Sequence, residues 1–178
     1  TPHLSNRKKR KLKKPKKIFE IGTAIGYSAI RMAKACNECT SISCEIDEER
    51  LAVATDFLHE SGLSDRISLI HGDALNYAAE IENDAPYDMV FIDAAKGQYE
   101  NYFKAFSPML ANHGVVVSDN VFFRGMVPGI EQPMKRYRTV IKRLREYNKY
   151  LVKQEQFDTT FYPVGDGLAV SIKRDFHQ

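Results

Sequence analysis

The chain has 178 residues, 43% hydrophobic and 28% charged, the balance of a soluble globular protein with room for one substantial core, and no apolar run is long enough to span a bilayer. Three cysteines (Cys36, Cys39 and Cys44) are too few and odd in number for a disulfide framework, and the basic N-terminus lacks the apolar stretch of a signal peptide, so a reducing cytoplasm and no membrane are expected. The net charge of +3 is unevenly placed: residues 1–17 carry nine Lys/Arg and no acid, which leaves −6 for the rest, and residues 124–153 carry nine more against Glu131 and Glu146.

Residues 1–15 are expected to form a disordered basic tail, and residues 16–178 a single domain. Lys17–Gly22 reads as a strand, Tyr27–Cys36 as a helix and Thr40–Ile46 as a second strand. Asp47 suits a helix N-cap with Glu48 and Glu49 in the first turn; Leu51, Ala54 and Leu58 give that helix an apolar face, and Gly62 can end it. Ile67–His71 is a third strand, followed by a helix from about Ala74 to Ile81. Asp88–Asp93 and Gly114–Ser118 are apolar strands on either side of a helix over Tyr99–Leu110. After a long loop, Pro133 opens a helix with Met134, Tyr137, Ile141, Leu144 and Leu151 on one stripe. Phe157–Tyr162 and Leu168–Lys173 flank a Gly-rich turn and read as an antiparallel hairpin. Strands alternating with helices predict an α/β fold on a mostly parallel sheet with right-handed crossovers.

Two strands end in acids: Asp93, with Lys96 three residues on, and Asp119-Asn120. Asp93, Asp119 and Asn120 are hard oxygen donors suited to Mg²⁺, Mn²⁺ or Ca²⁺, and neighbouring parallel strands would bring them to one sheet edge. Taken singly, Asp93 also fits a helix cap, Asp119-Asn120 a turn and Lys96 a surface lysine. The first strand runs into Glu20-Ile21-Gly22-Thr23-Ala24-Ile25-Gly26-Tyr27-Ser28, a glycine loop opening a helix, where backbone can approach a ligand. Glu45, 23 residues after Gly22, suits ribose hydroxyls, and Gly72-Asp73-Ala74 an adenine edge. The spacing is not the dinucleotide G-x-G-x-x-G, and Glu20 would repel a pyrophosphate but favour a cationic cofactor. Cys36-x₂-Cys39 has no partners to complete a zinc site. No G-x-S-x-G marks a serine hydrolase.

Together EIGTAIGYSA, CEID, GDA, FIDAAKGQY, SDNV and GDGLAVS, in that order over residues 16–174, resemble the cation-dependent class I O-methyltransferases, the family of catechol and caffeoyl-CoA methyltransferases. The resemblance implies a Rossmann-like, seven-stranded, mostly parallel sheet with an antiparallel C-terminal strand and helices on both faces. It implies S-adenosyl-L-methionine as cofactor, held by Glu20, Gly22, Thr23, Gly26, Tyr27, Ser28, Glu45, Gly72, Asp73, Ala74 and Asp93. It makes Asp93, Asp119 and Asn120 the ligands of Mg²⁺ or another divalent cation, and Lys96, with Asp93, catalytic. The Ala-Ala-Lys-Gly-Gln-Tyr segment and the basic region after Asn120 look most like the bacterial tRNA 5-hydroxyuridine methyltransferases. That likeness implies tRNA as substrate, with Arg124, Lys135, Arg136, Arg138, Arg143 and Arg145 as candidates for phosphate contact. A catechol-type small-molecule methyltransferase and a non-catalytic RNA-binding module on the same scaffold stand as alternatives. The resemblance also implies helices ahead of the first strand, where this chain has about 16 lysine-rich residues, so a truncated N-terminus is expected and a homodimer is left open.

Overall fold

The computed structural model describes residues 15–129 and 135–175; the expected disordered tail, and Pro133 and Met134 of the expected helix, lie outside them. Seven strands form one sheet: β1 (Lys17–Ile21), β2 (Thr40–Glu45), β3 (Ile67–His71), β4 (Tyr87–Ile92), β5 (Leu110–Asp119), β6 (Phe157–Tyr162) and β7 (Leu168–Lys173). Their order is β3-β2-β1-β4-β5-β7-β6. The first five run parallel, and the β6–β7 hairpin joins β5 antiparallel through β7. The expected mostly parallel sheet with an antiparallel C-terminal strand is therefore present.

Five α-helices accompany the sheet among the described residues: α1 (Tyr27–Ala35), α2 (Glu48–Ser61), α3 (Ala78–Asn83), α4 (Tyr99–Phe106) and α5 (Arg138–Val152). Asp47 caps α2 as expected, its carboxylate accepting the Arg50 N–H at 3.0 Å, and Gly62 ends the helix at φ 69°. The helix expected over Ala74–Ile81 is a 3₁₀ turn, Ala74–Tyr77, that passes into α3. The helix expected to reach Leu110 stops at Phe106. Pro108 has no N–H to continue the ladder, so Ser107–Met109 tightens into a 3₁₀ turn and β5 starts at Leu110. No helix among the described residues is long and apolar enough to cross a membrane.

Alternation along the strands divides the sheet into two faces. Phe19, Ile21, Val90, Ile92 and Val116 point to one face and are wholly buried against Tyr99, Phe103 and Phe106 of α4 and Ile141, Leu144, Tyr147 and Leu151 of α5. Ile141, Leu144 and Leu151 belong to the expected stripe; Tyr147 joins them and bonds Ser118 at 2.7 Å. On the other face α1 and α2 cover the β1–β3 side through Ala29, Ala33 and Leu58. Further along that face, Phe91, Val117 and Val170 lie side by side and are only partly buried. The cysteines are free and buried. Cys36 and Cys39 shape the turn after α1, whose carbonyls at Ala33, Cys36 and Cys39 accept from the Arg66 guanidinium.

The parallel arrangement brings the end of β1 hard against the end of β4. Asp93 N–H donates to the Ile21 carbonyl at 2.9 Å. Gly22 follows at φ +100°, and a Cβ there would stand 2.1 Å from the Asp93 carbonyl oxygen. Gly22→Ala therefore meets both a disfavoured backbone conformation and a backbone clash. It is expected to lose about 3 kcal/mol of stability or more, read as a fall in the urea unfolding midpoint.

Candidate active site

The carboxyl ends of β1, β2 and β4 enclose a cavity of about 320 Å³, lined by Gly22, Glu45, Gly72, Ala74, Asp93 and Tyr102 among others. It sits where the strand order reverses between β1 and β4, the position at which open α/β sheets bind ligands. Glu45, only 8% exposed, accepts the Ala24 N–H at 2.7 Å on one oxygen and the Asp47 N–H at 3.0 Å on the other. Each oxygen keeps a lone pair for a ligand hydroxyl. Gly72 lies under the Tyr77 ring, which would be 2.6 Å from a Cβ. Asp73 accepts the Leu75 N–H at 3.1 Å and caps the following turn, so Ala74 and not Asp73 reaches the cavity wall. Tyr102 of α4, which carried no sequence signal beyond a core position, completes the wall.

The glycine loop departs from expectation. Of its expected contact residues, only Gly22 lines the cavity. Glu20 is wholly buried behind the wall; its two oxygens accept from the Ser28 and Ser43 hydroxyls, the latter at 2.5 Å. Ser43 is also bonded to the Thr23 hydroxyl at 2.6 Å. Glu20, Thr23 and Ser28 thus brace the loop from inside. Gly26 starts α1 at φ 85° and faces α2, where Leu58 and Ala54 would be 3.2 and 3.4 Å from a Cβ. Tyr27 is 70% exposed. Burial pushes the Glu20 carboxyl up to about 7; its two hydroxyl partners oppose this, and the charges of Asp93 and Glu45 add to it.

A second group of side chains meets at the ends of β4 and β5. Lys96, in the 3₁₀ turn that opens α4, donates to Asp93 Oδ1 at 2.7 Å and to the Tyr99 hydroxyl at 2.8 Å. Tyr99 in turn donates to the Asp119 carbonyl at 2.9 Å. Its hydroxyl is held well above the usual phenol range, by burial first and then by the charges of Asp93 and Asp119, so it stays a donor. Sequence reasoning missed Tyr99, although its place three residues after Lys96, one helical turn on, was the available signal. Asn120 adopts φ 56°, and its backbone N–H and side-chain amide both donate to Asp119 Oδ1, at 2.6 and 3.1 Å. This fixes the Asn120 amide and leaves its oxygen as an acceptor.

Asp93, Asp119 and Asn120 thus stand together as two carboxylates and an amide oxygen, a donor set that fits a hard divalent cation. No cluster of three His, Cys, Asp or Glu suited to a metal occurs among the described residues, the third donor here being an amide. Burial pushes the Asp119 carboxyl up; the Asn120 N–H and Lys96 pull it down, while Asp93 and Asp166 raise it. Crowded carboxylates of this kind are what a bound cation relieves.

The expected phosphate-contacting residues separate. Arg124, Lys135, Arg136 and Arg138 are exposed. Arg143 lies on the turn that carries Lys96: a Cβ at Gly97 would be 2.5 Å from its Nη1. Arg145 has another task, donating to the carbonyls of Val127 at 2.8 Å and Met126 at 2.9 Å and so tying α5 to the loop after β5.

A family model described as O-methyltransferase matches residues 10–174. The caffeoyl-CoA O-methyltransferase of Medicago sativa is 30% identical over 167 residues, 90% of this chain and 68% of the relative. A Staphylococcus aureus structure assigned as a caffeoyl-CoA O-methyltransferase superposes with a TM-score of 0.83 at 37% identity, covering 89% of this chain and 76% of that one. The O-methyltransferase from Bacillus cereus in complex with SAH does so at 0.79 and 25%, covering 90% and 75%.

Because the folded-state pKa of Glu20 is raised from 4.5 to about 7, its contribution to stability is complete below about pH 4.5 and is lost as pH rises through about 7. In Glu20→Gln the amide needs no ionisation. From pH 5 to pH 8 its unfolding free energy is expected to fall by about 3 kcal/mol less than that of the wild type, measured by urea denaturation at each pH.

Proposed function

The chain belongs to this O-methyltransferase family, and on that premise we propose that it transfers the methyl group of S-adenosylmethionine to one of two adjacent substrate oxygens in a divalent-metal-dependent reaction, the acceptor being 5-hydroxyuridine at the wobble position of tRNA. The observation that carries this reading is the double place of Asp93, which lines the strand-end cavity and also bonds Lys96 beside Asp119 and Asn120. A methyl donor in the cavity and an acceptor oxygen at Lys96 would be neighbours.

Glu45 presents its free lone pairs to ribose hydroxyls, Gly72 and Ala74 face the base, and the carboxylates around Gly22 suit a cation. Asp93, Asp119 and Asn120 would hold the metal, which when bound supplies a Lewis acid that lowers a substrate hydroxyl's pKa. Lys96, aimed by Asp93 and Tyr99, gives a charged hydrogen bond to the oxyanion that remains when the hydroxyl proton leaves. The oxyanion attacks the methyl carbon in line as the carbon–sulfur bond breaks, and orientation supplies much of the rate.

Support for an RNA acceptor is electrostatic. Arg143 lies on the turn of Lys96, and Arg124, Lys135, Arg136 and Arg138 add exposed positive charge on the segments leading to it. 5-Hydroxyuridine offers O5 beside the O4 carbonyl, a pair like that of a catechol. The relatives named for caffeoyl-CoA support a second reading, a small catechol acceptor, with the same residues in the same roles and the basic helix solvated.

Hydroxyuridine-containing tRNA incubated with the protein, S-adenosylmethionine and Mg²⁺ is expected to gain one methyl group per wobble nucleoside by mass spectrometry, and to lose the gain with a chelator. Transfer to caffeoyl-CoA but not to tRNA would replace the RNA acceptor with the catechol. Lys96→Ala is expected to slow turnover about 10²- to 10⁴-fold while cofactor affinity, measured calorimetrically, stays within about threefold; unchanged turnover removes Lys96 from the chemistry.

A further inference from the structure

We infer that Glu20, set behind the cavity wall, is a positioning residue that determines specificity: its buried charge makes the site prefer the sulfonium donor, S-adenosylmethionine, to the neutral thioether product, S-adenosylhomocysteine. The inference rests on the cofactor reading given above.

Glu20 has 0% exposure, so no water reaches its carboxylate. Its hydrogen-bond partners, Ser28 and Ser43, are neutral hydroxyls. The charges that face it from the neighbouring strand ends are Asp93 and Glu45, both of its own sign. The cations nearby are engaged elsewhere: Lys96 is bonded to Asp93, and Arg50, at the cavity wall, lies 3.8 Å from Asp47. A carboxylate so enclosed acts through a poorly screening interior, and what remains to balance it is a cation in the cavity.

The two ligands differ at that place by one charge. In the reaction the substrate oxyanion gains the methyl group, the carbon–sulfur bond pair stays on sulfur, and one negative and one positive charge disappear together. Glu20 therefore attracts the donor more than the product and aids exchange of one for the other. The sulfonium charge is already falling in the transition state, so the effect belongs to binding and not to the chemical step. Glu20 also holds Ser28 and, through Ser43, Thr23, which fixes the loop behind Gly22. That bracing serves both ligands alike, so the ratio of their affinities isolates the charge.

The test is calorimetric titration of each ligand at pH 8, above the Glu20 pKa of about 7. For Glu20→Gln the ratio Kd(S-adenosylhomocysteine)/Kd(S-adenosylmethionine) is expected to fall about tenfold, chiefly through weaker donor binding. Equal weakening of both ligands, or no change in either, overturns the inference and leaves the cofactor reading intact. Wild-type protein that binds neither ligand overturns the cofactor reading and this inference with it. Ser43→Ala, which removes one hydrogen bond from the ionised Glu20, supplies the same test should the Gln variant not fold; its ratio is expected to shift in the same direction by a smaller factor, and an unshifted ratio counts against the charge.

Discussion

The Asp93 carbonyl occupies the space where a side chain on residue 22 would be. That single contact lets β1 and β4 end together, and the rest of the site follows from it. The Gly22 turn forms one wall of the cavity and Asp93 another, so the pocket exists because the two chain segments cannot be held apart by a Cβ. The same strand end carries the Asp93 carboxylate to Lys96 and, one strand over, to Asp119 and Asn120. Parallel strands place all these groups on one edge, and the reversal of strand order opens the space between them.

Charge is the second organising element. Glu20, Glu45 and Asp93 converge on the Gly22 turn, and Asp119 and Asp166 lie beyond them. Folding carries these carboxylates into partly or wholly dry surroundings, where like charges repel more strongly than in water. Neutral hydroxyls and backbone N–H groups moderate the cost: Ser28 and Ser43 at Glu20, Ala24 and Asp47 at Glu45, Asn120 at Asp119. The donors hold the acids in place without cancelling their charge, which is the condition for an electrostatically preorganised site.

Much of this was legible in the amino-acid order. The hairpin bounds, the Asp47 cap, the Gly62 stop and the acidic strand ends follow from local rules and were read directly. What escaped depends on which way a side chain points across non-local packing. Glu20 adjoins the glycine loop in sequence, yet strand alternation turns it away from Phe19 and Ile21 and toward its β2 partner Ser43, behind the cavity. Gly26 read as a ligand-approach glycine because the proximity of α2 has no local signature. Arg145 read as a surface charge because the carbonyls it holds lie 18 and 19 residues upstream, in a loop without periodicity. Tyr99 looked like another core aromatic, and its hydroxyl acquires a role only when β5 delivers the Asp119 carbonyl to it.

Arg145 makes the loop after β5 and helix α5 move as one piece, and both stand on the β4–β5 side of the sheet. The groups that face the cavity from Glu45, Gly72 and Ala74 stand on β2 and β3, on the opposite side. The two sides meet at Asp93. Substitutions that accumulate in α5 and its tethered loop reshape what is presented to Lys96 and leave the β2–β3 half untouched. A lineage built on this plan can change the molecules it modifies while inheriting the same donor machinery, and the position least free to drift is the one at the seam.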